Sequence, residues 1–212
     1  IVYPHLVLLL TGGHTQMYLM HDEKKIELLG ESVDDAIGEA FDKTAKLIGL
    51  GYPGGQRIEE LAKYGDENYF KLPKPLLNDP TFNFSFSGIK THINLLTKKN
   101  KIDDNFRKNI SSSFQKTITE IIISKIEKVL EFLNTKNISL KSTSIVGGVA
   151  NNFYIRRNLE NLFEKKNIEL YYPIKEMMSD NAAMIAWACI KNYSNKNADI
   201  FFKPNPRLKI TL

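Results

Sequence analysis

The chain has 212 residues, 42% of them hydrophobic, with a net charge of +5 and one cysteine, Cys189. That is enough apolar content for a real core; the lone cysteine excludes a disulfide framework or a zinc ribbon built within the chain, and no apolar run reaches the ~18 residues of a membrane helix. The mild basic excess admits a nucleic-acid partner without requiring one, and the cysteine usage and lack of a visible signal peptide fit a cytoplasmic protein.

In chain order, Leu6–Leu10 reads as a buried strand, Met17–Met20 as its hairpin partner and Ile26–Leu29 as a third strand. Gly12-Gly13 between the first two suggests a tight hairpin turn with positive φ, or a concave backbone site for an anion. From Ser32 the period becomes helical, with Ile37, Phe41, Ala45 and Ile48 on one face and Ser32/Asp35 as a capping-box pattern. Asp35, Glu39 and Asp42 then share a helix face, either solvated or available to ribose hydroxyls. "LGYPGG" stops this helix, and a shorter amphipathic segment follows with Ile58, Leu61 and Ala62.

Residues 71–101 read as irregular. A long helix is expected from about Asp104 to Leu133, with Ile110, Phe114, Ile118, Ile122, Ile126, Val129 and Leu133 as its stripe. Ser144–Val146 reads as a strand ending in Gly147-Gly148, followed by a helix with Ile155, Leu159 and Leu162. Ile168–Tyr172 is the last strand, and "SDNAAMIAWACI" opens the last helix. Asp180 at that helix start is either an N-cap or a metal ligand needing partners. The four histidines have no HExxH or HxxxH spacing. His14, next to the glycines, is either a donor to a ligand or, as expected, a partner within the turn, and His21 and His92 read as surface residues.

Three strands with hairpin-like connections, a helix, an insertion, then strand–helix–strand–helix is a ribonuclease H-like order, the α/β domain type of actin, sugar kinases and Hsp70 ATPases. One such domain is expected over 1–212, with a mainly helical insertion at about 56–140. Glycine turns at strand ends and helix starts, here at 12–13, 54–55 and 147–148, suit a nucleotide.

Five blocks, "LLLTGGHTQ", "LLGESVDDAIGEAFDKTAKLIGLGYPGG", "FSFSGIKT", "GGVANN" and "SDNAAMIA", carry a resemblance over nearly the whole chain. The sequence resembles the C-terminal portion of the tRNA N6-adenosine threonylcarbamoyltransferase family (bacterial TsaD type, formerly O-sialoglycoprotein endopeptidases). The resemblance implies transfer of a threonylcarbamoyl group from threonylcarbamoyl-AMP to N6 of adenosine 37 in tRNAs reading codons that begin with A. It implies ligand contacts at Leu9, Leu10, Thr11, Gly12, Gly13, Asp42, Gly55 and Asn152, an iron ion held at Asp180, and protein partners of the TsaB-like and TsaE-like kinds. It makes the Gly12-Gly13 turn a floor for the acyl-adenylate phosphate.

The family's HxxxH metal pair and first phosphate loop lie upstream of the first block, before Ile1. The chain is therefore expected to be one wall of a pocket, with Asp180 alone at the metal, and inactive by itself. Gln56, Thr11 and Ala150 stand where proline, serine and serine are usual. Lys90 in "FSFSGIK" is expected near tRNA or the pocket mouth, unless that block merely packs Phe84 and Phe86 onto the core. Two other readings remain on the same fold. A phosphotransferase would need a general-base Asp from elsewhere, and a non-catalytic scaffold should have lost the ligand motifs.

Overall fold

The structure, a computed structural model, describes residues 1–192. Five strands form one mixed sheet: β1 (His5–Leu10), β2 (Thr15–Met20), β3 (Ile26–Glu31), β4 (Ser142–Val146) and β5 (Glu169–Tyr171), in the spatial order β3-β2-β1-β4-β5. The first three are antiparallel neighbours, whereas β4 lies parallel to β1 and β5 parallel to β4. Central β1 is the most apolar strand, and Leu6, Leu8 and Leu10 are fully or almost fully buried. Polar β4 is buried as well because its hydroxyls are satisfied. Thr143 donates to the Leu6 carbonyl at 3.0 Å, Ser142 donates to the Val2 carbonyl at 2.7 Å, and both Ser142 and Ser144 bond the His5 ring. These partners extend β4 two residues upstream of the Ser144 start expected from apolarity.

Four helices separate β3 from β4: α1 (Ile37–Leu47), α2 (Gly54–Ala62), α3 (Ser87–Lys99) and α4 (Asp104–Thr135). The expected stripe of α4 is all buried at 1% exposure or less. Phe114 meets Phe41 of α1 edge-on, ring centroids 5.0 Å apart. Asp103 caps α4 by accepting from Phe106 N, as an acidic N-cap should. After β4 come a 3-10 turn (Gly148–Asn151), α5 (Phe153–Lys165), β5 and α6 (Ala182–Asn192).

Several local expectations are corrected. There is no Ser32/Asp35 capping box: α1 starts at Ile37, and Ser32 Oγ donates to the Asp35 carbonyl in a turn ahead of it. Asp35 therefore lies outside the helix, and the three acids do not share one helical face. Lys43 draws Asp35 and Glu39 together, with its Nζ 2.6 Å from each, while Asp42 bonds elsewhere.

The stretch expected to be irregular contains α3. Its N-terminus is capped from a distance by Asp34, which accepts from Phe86 N at 2.8 Å and Ser87 Oγ at 2.7 Å as well as from Ser85. Burial opposes ionisation of Asp34, but the bonds from Ser85 and Ser87 hold its carboxyl below the ordinary value. "FSFSG" runs beside β3, with Phe84 N donating to the Glu31 carbonyl. Phe84 and Phe86 are wholly buried, so this block packs onto the core. Helix α6 is different: Met184, Ile185, Trp187 and Ile190 are 45–67% exposed, and Lys191 pairs with Glu23 at 2.9 Å.

Candidate functional site

The loop Thr11–His14 joins β1 to β2, with Leu10 paired to Thr15. Neither Gly12 nor Gly13 has the positive φ expected of a tight turn. The loop is longer than two residues and is closed by Thr11. Thr11 N donates to the His14 carbonyl at 2.9 Å, and Thr11 Oγ1 accepts from Gly13 N at 3.2 Å and His14 N at 2.8 Å. Two of the amides expected to cradle an anion are thus spent within the loop, and the exposed His14 acts through its backbone.

Glycine is needed here for approach. A Cβ on Gly38, in the first turn of α1, would stand 2.7 Å from Gly12 Cα and 2.8 Å from the Thr11 carbonyl oxygen. That contact, with Gly38 N donating to the Thr11 carbonyl at 3.2 Å, docks α1 against the loop. A Cβ on Gly12 itself would meet nothing within 4 Å.

The second glycine pair opens α2 rather than preceding it. Gly54 is packed, since a Cβ there would stand 2.4 Å from Ala45 Cβ, whereas Gly55 is open. Asp42 Oδ1 accepts from Gly54 N at 2.7 Å, leaving the amides of Gly55 and Gln56 at the free end of α2. The third pair divides likewise: Gly147 has φ +98° and would clash with the Leu10 carbonyl, while Gly148 is open. Asn152 then caps α5, its Oδ1 accepting from Ile155 N at 3.0 Å. Its Nδ2 donates to Gln115 Oε1 of α4 at 2.8 Å.

These three regions meet at one cleft of about 740 Å³, lined by Gly12, Asp42, Gly55, Gln56, Gly148, Val149 and Asn152 among others. Two carboxylates, Asp42 and Glu59, come from α1 and α2; two cations, Arg156 and Lys175, come from α5 and the segment after β5. Glu59 also accepts from Phe153 N, the first amide of α5, at 2.6 Å. Arg156 lies 3.8 Å from the Tyr172 ring centroid. Burial pushes the Tyr172 hydroxyl up to about 12, so it stays a neutral partner beneath that cation.

Of the residues expected at the ligand, Gly12, Asp42, Gly55 and Asn152 line this cleft. Leu9 and Leu10 belong to β1, Leu10 fully buried, and Thr11 and Gly13 hold the loop closed. Lys90 is half-buried on α3 and does not line the cleft. Asp180 is exposed and outside the cleft lining, and it is not the cap of α6: Asn181 Oδ1 accepts from Met184 N at 2.9 Å. No group of three or more His, Cys, Asp or Glu side chains that could hold a metal occurs among the described residues. A transition-metal site recruits several ligands, so Asp180 by itself does not fit iron.

Sequence reasoning missed Glu59, Gln115, Arg156 and Lys175. Each is a polar residue within or near a helix, which reads as solvated surface. The only available signal was position: Glu59 is four residues beyond Gly55, and Arg156 four beyond Asn152, each one helical turn from a residue already expected at the ligand.

The family model for tRNA N6-adenosine threonylcarbamoyltransferase (TsaD) matches residues 2–187. The chain belongs to that family. It is 44% identical over 216 aligned positions to the tRNA N6-adenosine threonylcarbamoyltransferase of Thermosipho africanus, covering 99% of this chain and 64% of the relative. The Rickettsia rickettsii enzyme of that name is 42% identical, with 92% of this chain and 58% of the relative covered. That of Wigglesworthia glossinidia brevipalpis is 39% identical, with 97% and 59% covered. The chain thus spans about six-tenths of the length of these TsaD relatives. Among solved structures, full-length HypF in its phosphate- and nucleotide-bound form superposes with a TM-score of 0.55 at 16% identity, over 82% of this chain and 37% of that one. That likeness concerns the fold alone. Among the described residues, no helix of this TsaD-family chain is long and apolar enough to cross a membrane.

Proposed function

We propose that the cleft binds an acyl-adenylate, threonylcarbamoyl-AMP, and that the protein containing this chain transfers its threonylcarbamoyl group to N6 of adenosine 37 in tRNAs reading codons that begin with A. One observation carries the reading. Glycines at positions 12, 55 and 148 converge on a single cleft and present bare backbone to it. A core has no use for open glycines, whereas a ligand pressed against the main chain does.

The charge arrangement supports the same ligand. Arg156 and Lys175 suit its phosphate, and Asp42 and Glu59 can accept from ribose hydroxyls. The free amides of Gly55 and Gln56 at the start of α2 add donors for an anion. Chemically, the adenosine amine attacks the carbamoyl carbon of an already activated anhydride, AMP leaves with the bond electrons, and the amine releases a proton. No protein nucleophile is required. This chain's part is to hold and orient the adenylate; any oxyanion stabilisation from its amides acts by preorganisation.

The sheet order and strand directions support a ribonuclease H-like, actin-type domain with α2–α4 largely within an insertion at about 56–140. Iron enters the proposal with Asp180 as one ligand and the others from outside these residues, and no step above uses it. TsaB-like and TsaE-like partners and a cytoplasmic location belong to the same proposal. So does the expectation that the 212 residues alone are inactive.

The test is mass spectrometry of tRNA from cells whose only copy of the gene is the full-length one. Threonylcarbamoyladenosine at position 37 is expected with the wild-type gene and is expected to fall with Asp42→Ala. Unmodified tRNA in the wild-type strain would refute the transfer reaction.

A further inference from the structure

Beside the cleft, and sharing Asp42 with it, lies a second recess of about 430 Å³ lined by Asp42, Lys43, Lys46, Gly51 and Tyr52. Its wall is the last part of α1 and the connection to α2. Tyr52 is 78% exposed, the most exposed large hydrophobic side chain among the described residues. No ring contact or hydrogen bond engages it among the described residues. A tyrosine left this bare beside a cavity needs an explanation, since burial of its ring would otherwise be favourable.

The cations around it are of two kinds. Lys43 is neutralised by Asp35 and Glu39. Lys46, exposed in the last turn of α1, has no ion pair among the described residues. Arg57, also exposed, bonds the Leu50 carbonyl through one terminal nitrogen, and that nitrogen lies 3.0 Å from where a Gly51 Cβ would be. Its guanidinium thus lies against the backbone next to Tyr52, and its remaining N–H donors have no partner among the described residues.

We infer that Tyr52 is a stacking platform for an unpaired RNA base adjoining the acceptor nucleotide, with Lys46 and Arg57 meeting the flanking phosphates. An exposed aromatic face interleaved with free cations is the chemistry that holds single-stranded nucleic acid. Continuity with the cleft through Asp42 sets the order: the acceptor base enters the glycine-lined cleft and its neighbour rests on Tyr52. The inference relies on the RNA substrate proposed above.

The test uses the full-length protein and an RNA hairpin with an unpaired loop containing the acceptor adenosine. Affinity is measured over a series of salt concentrations for the unsubstituted protein and for Tyr52→Phe, Tyr52→Ala and Lys46→Gln, with calorimetric binding of AMP alone in parallel. Tyr52→Ala is expected to weaken RNA binding by roughly 5- to 100-fold, and Tyr52→Phe to retain it. Lys46→Gln is expected to reduce the slope of log K against log salt by about 0.7, the value of one single-strand phosphate contact. AMP binding should be unchanged throughout. Normal RNA binding by the unsubstituted protein with no loss in Tyr52→Ala overturns the platform alone. Absence of RNA binding by the unsubstituted protein overturns both the platform and the RNA substrate.

Discussion

Asp42 Oδ1 accepts the backbone N–H of Gly54 at 2.7 Å, tying the penultimate turn of α1 to the first residue of α2 at the edge of the cleft. One carboxylate oxygen is thereby committed to structure, and the other is available to a ligand. The two roles separate by substitution. Asp42→Ala should lose the helix-end bond, about 1 kcal/mol of stability, and a charge-assisted ligand bond, about 1.5–3 kcal/mol of affinity. Asp42→Asn keeps an acceptor for Gly54 and should lose mainly affinity. Urea unfolding and titration with a non-hydrolysable adenylate analogue read the two effects. Unchanged analogue affinity in both variants would leave Asp42 as a structural residue only.

The glycines make a second prediction because they fall into two sets. Gly54→Ala and Gly147→Ala each place a methyl 2.4 Å from another atom, and Gly147 also has φ +98°. Both should destabilise the fold by about 1–3 kcal/mol. Gly12→Ala and Gly148→Ala meet open space, so their unfolding free energies should stay within about 0.5 kcal/mol of wild type. Their methyls would stand in the cleft and should weaken the adenylate analogue. Equal stability losses at all four positions would show that the cleft collapses onto itself and is no ligand site.

This division also shows what the sequence could reveal. Strand β1 and the α4 stripe were legible because burial there follows a simple apolar period. The glycine pairs were legible as special positions. Which member of the second and third pairs packs and which stays open was not, because that depends on Ala45 and Leu10 brought close by the fold. Helix α3 was hidden because its cap, Asp34, lies 53 residues before Ser87. Gln115 and Glu59 were hidden because a polar residue inside a helical pattern looks the same whether it meets water or another helix end.

Helix α6 yields a third prediction. Trp187 is the only tryptophan, is 61% exposed and has Lys191 Nζ 5.3 Å from its ring centroid. In the 212-residue chain its fluorescence should be that of a solvated indole, open to acrylamide quenching. Ile185 is 63% exposed, so Ile185→Glu should change the unfolding free energy by no more than about 0.5 kcal/mol. A blue-shifted, protected tryptophan together with a large cost for Ile185→Glu would mean that α6 packs against the body of the chain.

The last prediction concerns His5, buried on β1 between two serines of β4. Ser142 Oγ donates its proton to the Val2 carbonyl, so toward His5 it can only accept, and Nδ1 at 2.6 Å must carry the hydrogen. Nε2 is then the acceptor for Ser144 Oγ at 2.8 Å. The neutral ring satisfies both serines. Burial makes the imidazolium costly and pulls the His5 pKa down from 6.5 to about 4. The unfolded chain therefore binds a proton more readily than the folded one, and stability must rise with pH across that interval. The contribution is fully present above about pH 6.5 and is lost as pH falls toward 4. From the shift it is on the order of 3 kcal/mol. The carboxylates also titrate in this range, so the useful quantity is a difference. The gap in unfolding free energy between wild type and His5→Gln should shrink steadily from pH 6.5 to 4, while nitrogen NMR of the wild type at pH 7 should show the Nδ1–H tautomer. A pH-independent gap would mean that His5 titrates as freely in the fold as outside it.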